Sequence, residues 1–377
     1  MTNLYSADCS YLKDSRPEGS GIDIDRWSAI YKMISKNVSV VDRCNSLVMP
    51  YRFKTFEQLN MPRDLNNFSL TYEECCISRA QELVDLSRRI SKPITIMYSG
   101  GIDSTCVLVS FMKILGAQEL KERIRVALSI ESIDENVNFY YDHIRTKCTI
   151  ISSEHMSSLL DGSSIVVTGE LNDQLFGSDI VGWIYKFGDY NRIHESYSRD
   201  FITKWMRYGS DNSRSHPIAD SHADFWYDLL DNHIRSQAPC EVRTNFDFLW
   251  WYNFCLKWQN VYFRNLLRID FDKRHLINDR FLNDCYQHFF SSTNFQKWSM
   301  LNPHLKIGAD WQDYKVECKK FIFDYNHDAG YRDHKIKIGS LYYICLQKKT
   351  ASAITEKYEL VDRIDSDYFY QPNNSFI

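Results

Sequence analysis

The first clear pattern of apolar and polar positions lies at residues 72–90, in the run YEECCISRAQELVDLSRRI. Its apolar residues recur at intervals of three and four, which is the period of one face of an α-helix. Ser91, Lys92 and Pro93 follow the run, and a helix usually ends before a proline. The pattern therefore predicts a helix that begins near Thr71 and ends just before Pro93.

Four short runs of mainly β-branched residues come next: ITIMY at 94–98, IRVALSI at 124–130, TIIS at 149–152 and SIVVTG at 164–169. Continuous apolar runs of this length are typical of parallel strands that are buried on both faces. An amphipathic helical pattern from Ser104 to Leu115 separates the first two runs, as in a βαβ unit. We therefore predict an open, parallel α/β sheet within residues 72–185.

Strand signals fade after residue 190, and helix-length patterns continue to about residue 357. The aromatic run FDFLWWYNFCLKWQNVYF at 246–263 contains only Lys257 as a basic residue. A base-stacking surface would need interleaved arginine and lysine, so we interpret the run as a buried or interface helix. We predict three parts: an N-terminal extension at 1–70, a nucleotide-binding core at 71–190 and a mainly helical part at 191–377.

The composition limits the cellular setting and the partners. The formal net charge of −4 argues against a general nucleic-acid binder, which would show a basic excess. Eleven cysteines occur without any CxxC pair, and the N-terminus lacks the apolar core of a signal peptide. No run approaches 18 apolar residues. We expect a soluble, cytoplasmic protein that does not bind a membrane.

The sequence SGGIDS at 99–104 lies where the first strand should lead into a helix. Adjacent glycines let the backbone turn sharply and approach a ligand, and the start of a helix binds phosphate. Hydroxyl groups of Ser99, Ser104 and Thr105 would add donors. Asp103 is expected either as the helix N-cap or as a ligand of the Mg²⁺ that accompanies a polyphosphate.

A strand that ends in SGGxDS and leads into a helix resembles the PP-loop of ATP pyrophosphatases. These enzymes cleave ATP between the α and β phosphates, adenylate a substrate and release pyrophosphate. The resemblance implies an open parallel sheet of five strands with helices on both faces, with ATP and Mg²⁺ bound at the loop. By itself the motif fits amide-forming enzymes, tRNA-modifying enzymes and other members equally well.

A second stretch, GELNDQLFGSD at 169–179, has the same order of strand, tight turn and helix. We expect Gly169 to supply the turn, and we expect Glu170 and Asp173, three residues apart, to face the same side. Together with Asp103 they would form a carboxylate set suited to Mg²⁺ and pyrophosphate. The alternative is an acidic helix N-terminus that the helix dipole favours.

This stretch resembles the GExxDxLFGG-like element of the asparagine synthetase and β-lactam synthetase branch. Gln174 replaces the usual glutamate and Ser178 replaces a second glycine. These departures leave the metal set intact.

The resemblance also assigns roles to individual residues. It implies that ATP contacts Ser99, Gly100, Gly101, Asp103, Ser104, Thr105, Ala127, Leu128, Ser129 and Gly169. Within this set, it implies that Ala127, Leu128 and Ser129 contact adenine and ribose. It implies that Asp103 and Asp173 are the metal ligands. It implies that the catalytic residues are Glu170, Asp173 and a late lysine that stabilises developing negative charge. The candidates for this lysine are Lys348, Lys349 and Lys357, and Tyr358 after Lys357 favours the last.

The glutamine-using asparagine synthetases begin with a catalytic cysteine at position 2, whereas this chain has Thr2 and about 90 residues before the first strand. We therefore expect no built-in glutaminase domain. The predicted function is an ATP-dependent amide-forming ligase that joins a small-molecule or peptide carboxylate to ammonia or an amine. A separate amidotransferase or another ammonia source is a possible partner. The alternatives are a base- or tRNA-modifying PP-loop enzyme and a catalytically inactive binding module.

Overall fold

The computed structural model of the chain describes residues 26–27, 40–47, 60–153, 156–186, 189–208, 219–266, 269–310 and 313–335. Up to residue 186 its helices are α1 Tyr72–Ile90, α2 Ile102–Ile114, α3 Ala117–Arg123, α4 Ile130–Glu135, α5 Val137–Phe139, α6 Met156–Leu159, α7 Asn172–Phe176 and α8 Ser178–Lys186. The later helices are α9 Arg199–Tyr208, α10 Asp220–Leu229, α11 Asn245–Leu256, α12 Trp258–Phe263, α13 Asp279–Asp284, α14 Thr293–Leu301, α15 Val316–Asn326 and α16 Ala329–His334. Short 3₁₀ or π turns lie at Tyr140–Ile144, Tyr190–Arg192, Leu230–Ile234, Arg235–Gln237, Phe271–Leu276, Phe289–Ser291 and Pro303–Leu305.

Helix α1 forms where the sequence pattern predicts it, and local interactions define both of its ends. The Thr71 hydroxyl accepts a hydrogen bond from the Glu74 N–H, and the Glu74 carboxylate accepts one from the Thr71 N–H. This reciprocal capping box satisfies backbone donors that the first helical turn leaves open. Ser91 takes a left-handed conformation with φ 55° and ends the helix two residues before Pro93.

The sheet has five strands, all parallel: β1 Ile94–Met97, β2 Ile124–Leu128, β3 Thr149–Ser152, β4 Ile165–Thr168 and β5 Tyr286–His288. The four strands expected from the apolar runs are confirmed. The sequence patterns did not predict β5, because three residues are too few to show a period. The described part after residue 190 therefore contains helices and also contributes one strand to the sheet.

One buried histidine joins β5 to β4. The His288 Nε2 lies 2.7 Å from the Tyr262 carbonyl oxygen and therefore donates to it, which leaves Nδ1 to accept from the Thr168 hydroxyl at 2.5 Å. Burial lowers the pKa of His288 to about 4. The imidazole is therefore neutral in the folded protein at neutral pH.

The strand order β3-β2-β1-β4-β5 locates the place where a ligand could bind. The chain moves from β1 through β2 to β3 toward one edge, and then adds β4 and β5 on the opposite side of β1. The connections that follow β1 and β4 therefore run to opposite sides of the sheet. In open α/β sheets, ligands bind at such a point, outside the carboxyl ends of the strands. The SGGIDS and GELNDQLFGSD stretches follow these two strands.

Helix α2 differs from its predicted form in two respects. It begins at Ile102 with Gly101 as N-cap, so that Asp103 lies in the first turn. It is also buried on nearly all sides instead of being amphipathic, because α1, α15 and β1 all pack against it. The N-cap alternative for Asp103 is therefore wrong.

The aromatic run after residue 245 forms helices α11 and α12, and every residue of α11 is buried. The buried interpretation of this run is confirmed. Parts of the N-terminal 70 residues pack on the same hydrophobic core, including Trp27 against Trp226 and Cys44 against Cys255. Within the described residues, no helix combines the length and the apolar character needed to cross a membrane.

Candidate functional site

The loops after β1 and β4 touch each other at Gly169. A Cβ atom on Gly169 would lie 3.1 Å from the carbonyl carbon of Asp103 and 3.1 Å from the Ser104 nitrogen. This glycine therefore permits the close approach of β4 to the start of α2. The turn itself depends on Leu171, which has a φ of 77°, and not on Gly169 as the sequence analysis expected.

The two adjacent glycines of SGGIDS have different roles in the fold. Gly100 has a φ of +78°, and a Cβ there would lie 2.4 Å from the Ser132 carbonyl oxygen and 2.6 Å from Glu135 Cβ. Gly101 has an ordinary φ of −74°, and its Cβ would meet only the Ser99 hydroxyl, at 3.4 Å. The fold requires glycine at position 100, whereas it does not require glycine at position 101.

The loop is held by its own hydroxyl groups. The Ser104 hydroxyl accepts from the Ser99 N–H at 3.1 Å, lies 3.1 Å from the Ser99 hydroxyl and donates to the Gly101 carbonyl at 3.2 Å. Thr105 is fully buried, and its hydroxyl donates to the Tyr98 hydroxyl at 3.4 Å. Ser99 and Ser104 therefore shape the loop, while Thr105 faces the core.

Asp103 is the first member of the site, and its carboxylate is tied to the loop after β4. Its Oδ1 accepts from Asn172 Nδ2 at 2.7 Å and from Lys315 Nζ at 2.5 Å. The Asn172 Oδ1 in turn accepts from the hydroxyl of the buried Tyr72 at 3.1 Å, which fixes the orientation of the amide. Asn172, the first residue of α7, thus positions Asp103 from the segment that follows β4.

Asp173, in the first turn of α7, converges on the same lysine. Its Oδ1 lies 2.7 Å from Lys315 Nζ and accepts from the Ser178 hydroxyl at 2.5 Å. The side chain of Lys315 is 2% exposed, while those of Asp103 and Asp173 are 28% and 24% exposed. The site therefore presents two partly accessible carboxylates with a buried ammonium between them.

Lys315 immediately precedes α15 and has a φ of 53°, a left-handed conformation that costs free energy in a residue with a side chain. Burial lowers its pKa, but Asp103 and Asp173 more than offset this, so that the net pKa is raised. Burial and the neighbouring Asp173 raise the pKa of Asp103, whereas Lys315 lowers it, and the net direction is upward. The lysine is therefore charged at neutral pH and is the counter-ion of the two carboxylates.

Glu170 does not join this pair. Its carboxylate forms a two-pronged ion pair with Arg264 and accepts from Asn265 Nδ2 at 3.3 Å. The helical three-residue spacing does not apply, because Leu171 in its left-handed conformation lies between Glu170 and the start of α7 at Asn172. Glu170 and Asp173 therefore pair with different cations, Arg264 and Lys315.

The end of β2 holds the residues expected near adenine and ribose. Ala127 and Leu128 are buried, and their carbonyl oxygens accept from the Tyr98 and Ser153 N–H groups. Ser129 caps α4 through a reciprocal capping box with Ser132. These residues lie at the carboxyl end of the strand next to β1, on the same sheet edge as the SGGIDS loop.

Sequence reasoning missed the lysines that the structure brings to this edge. Lys315 is 142 positions from Asp173 in the chain, so no local pattern could connect them. A second buried lysine, Lys335, pairs with Glu135 behind Gly100. The candidates Lys348, Lys349 and Lys357 lie outside the described residues.

The donor set can be compared with what Mg²⁺ requires. Within the ranges that the structure describes, no three or more His, Cys, Asp or Glu side chains are grouped as metal ligands. Mg²⁺ in nucleotide sites is commonly bound by one or two carboxylates together with phosphate oxygens and water. Asp103 and Asp173 already converge on one cation, so the pair fits such a role.

Comparisons with family models, with curated proteins and with solved structures gave no match to this chain. What is established is the class of fold, an α/β protein with a five-stranded, all-parallel sheet and many helices.

Proposed function

We propose that the chain is an ATP-dependent amide-forming ligase of the asparagine synthetase kind. One observation carries the proposal: Asp103, from the loop after β1, and Asp173, from the helix after β4, converge on one cation at the point where the strand order reverses. Open α/β sheets bind their ligands at this point.

The reaction that we propose has two steps. A substrate carboxylate oxygen forms a bond to the α-phosphorus of ATP, and the bond from that phosphorus to pyrophosphate breaks. Ammonia or an amine then attacks the acyl carbon of the adenylate, and AMP leaves with the bonding electrons. The carboxylate donor is a small molecule or a peptide, and the ammonia comes from solution or from a partner.

The phosphate-binding part of the proposal rests on the start of α2. Its first-turn N–H groups and the positive end of its dipole point toward the loop, and this arrangement favours anions. Packing would allow a side chain at position 101. The glycine there is therefore consistent with a different role, in which it lets phosphate approach the backbone.

Asp103 and Asp173 would hold Mg²⁺, which when bound would neutralise the charge that develops on pyrophosphate. In the structure, Lys315 supplies the positive charge at these two carboxylates. Preorganised charge of this kind stabilises a transition state best where water is excluded. Among the described residues, Lys315 is therefore the candidate for the charge-stabilising role that the sequence assigned to a late lysine.

The test is carboxylate-dependent exchange of labelled pyrophosphate into ATP, measured over a panel of small carboxylates and short peptides. We expect exchange with at least one substrate class, and AMP as the nucleotide product when an amine is added. Asp103→Asn should reduce exchange by at least 100-fold. Asp85→Asn, on the exposed surface of α1, should not change it. Turnover that yields ADP and no AMP would contradict the proposal.

A further inference from the structure

The ammonium of Lys315 lies where a metal ion would have to sit. Its Nζ is 2.5 Å from Asp103 Oδ1 and 2.7 Å from Asp173 Oδ1, so that a single cation contacts both carboxylates. The lysine is the N-cap residue of α15, far along the chain, and its side chain is almost fully buried. The carboxylate pair therefore has its positive partner within the protein itself.

Two further contacts hold the carboxylates in this arrangement without the lysine. Asn172 donates to Asp103 Oδ1, and the Ser178 hydroxyl donates to Asp173 Oδ1. Both donors belong to the loop and helices after β4, which Gly169 keeps in close contact with α2. Removal of the ammonium would thus leave two carboxylates that are still positioned next to each other.

The backbone of Lys315 indicates that its position is maintained by these ion pairs. A φ of 53° is unfavourable for a residue with a Cβ, and such a conformation persists only where surrounding interactions offset its cost. Two carboxylates in contact with one ammonium provide that offset. The same strain would favour movement of Lys315 once another group neutralised the carboxylates.

We propose that Lys315 is an internal cation that closes the metal site formed by Asp103 and Asp173, and that a divalent cation binds there only when the ammonium moves away. The inference rests on the proposed function for the identity of the natural cation, Mg²⁺. A bound polyphosphate would attract the ammonium, so that nucleotide and metal would bind together and not independently. Metal and nucleotide would then each strengthen the binding of the other, because such coupling is reciprocal.

The test measures binding of Mn²⁺ alone, by electron paramagnetic resonance at pH 8 and without nucleotide. We expect weak binding to the wild type and at least tenfold tighter binding to Lys315→Met. Lys315→Gly should show the same gain, and glycine also tolerates the left-handed backbone, which protects the test against a variant that fails to fold. Adding Asp103→Asn to Lys315→Met should abolish the gain.

The matched control is Lys113→Met, which removes a lysine near the end of α2 that pairs with a single carboxylate, Glu73. This variant should bind Mn²⁺ as weakly as the wild type. Tight binding to the wild type, or no gain in both Lys315 variants, would overturn the inference. Mn²⁺ binding needs no turnover. If the wild type showed no pyrophosphate exchange, the proposed ligase activity would be wrong, and the Mn²⁺ measurement would still decide the role of Lys315.

Discussion

The two neighbouring glycines of the loop provide the sharpest test of the structure, because substitution by alanine should affect them differently. At Gly100 the left-handed φ of +78° costs about 1 kcal/mol once a Cβ is present. The Cβ would also lie 2.4 Å from the Ser132 carbonyl oxygen, and relief of such an overlap costs about 1–3 kcal/mol. We expect Gly100→Ala to lower the free energy of unfolding by about 3 kcal/mol.

At Gly101 the same substitution should leave stability nearly unchanged. The φ of −74° suits alanine, and the nearest atom, at 3.4 Å, is a serine hydroxyl that can move. Replacing glycine at the N-cap by alanine lowers the free energy of unfolding by about 0.5–1 kcal/mol. Alanine also reduces the conformational freedom of the unfolded chain, which raises the free energy of unfolding by a similar amount. If Gly101 serves phosphate approach, Gly101→Ala should instead weaken ATP binding by about tenfold.

The assay is urea unfolding followed by tryptophan fluorescence and far-ultraviolet circular dichroism, since the chain has nine tryptophans. Coincident transitions would justify a two-state treatment. ATP binding is measured in parallel by calorimetry. Equal destabilisation by both substitutions, or an unaffected Gly100→Ala, would refute the assignment of the two glycines.

Three further predictions concern groups that the fold buries. The folded state holds His288 neutral, with a pKa of about 4 against an ordinary 6.5, so its contribution to stability is present above pH 6.5 and is lost as the pH falls toward 4. Between pH 7.5 and 4.5 the free energy of unfolding of the wild type should fall by about 2.5 kcal/mol more than that of His288→Gln. Equal losses in the two proteins would contradict this prediction. Glu135→Gln removes the negative charge that pairs with the buried Lys335 and should cost about 3–5 kcal/mol. Glu135→Leu combined with Lys335→Met should recover most of this in urea unfolding. Asn172→Leu removes the amide between Tyr72 and Asp103 and should cost about 2–3 kcal/mol by the same assay, with no effect expected if those contacts do not form.

Much of the α/β sheet region could be predicted from local patterns. The period of α1, its proline stop and four β-branched runs depend on neighbouring residues alone, and the structure has these elements at the predicted places. Strand β5 could not be predicted, because its three residues gain their conformation from pairing with β4. The nearly complete burial of α2 could not be predicted either, because it depends on α15, which packs against α2 and comes from a distant part of the chain.

The candidate site could also be predicted only in part. The motifs identified Asp103 and Asp173, but the expected partner Glu170 turns toward Arg264, because a single left-handed residue, Leu171, intervenes. No sequence spacing predicts such a backbone reversal at a leucine. The roles of these residues in catalysis, and those of ATP and Mg²⁺, stay predictions that the exchange assay and the Mn²⁺ titration address.

The sequence by itself determined the extent of α1 and the places of four buried strands, because those signals are local: period, proline and β-branched runs. It also determined that two glycine-containing acidic turns follow buried strands. Only the tertiary structure decided that these turns touch at Gly169 and that Lys315 forms ion pairs with both aspartates. The physical reason is that an ion pair depends on distance in space, and residues more than a hundred positions apart carry no local pattern that records it.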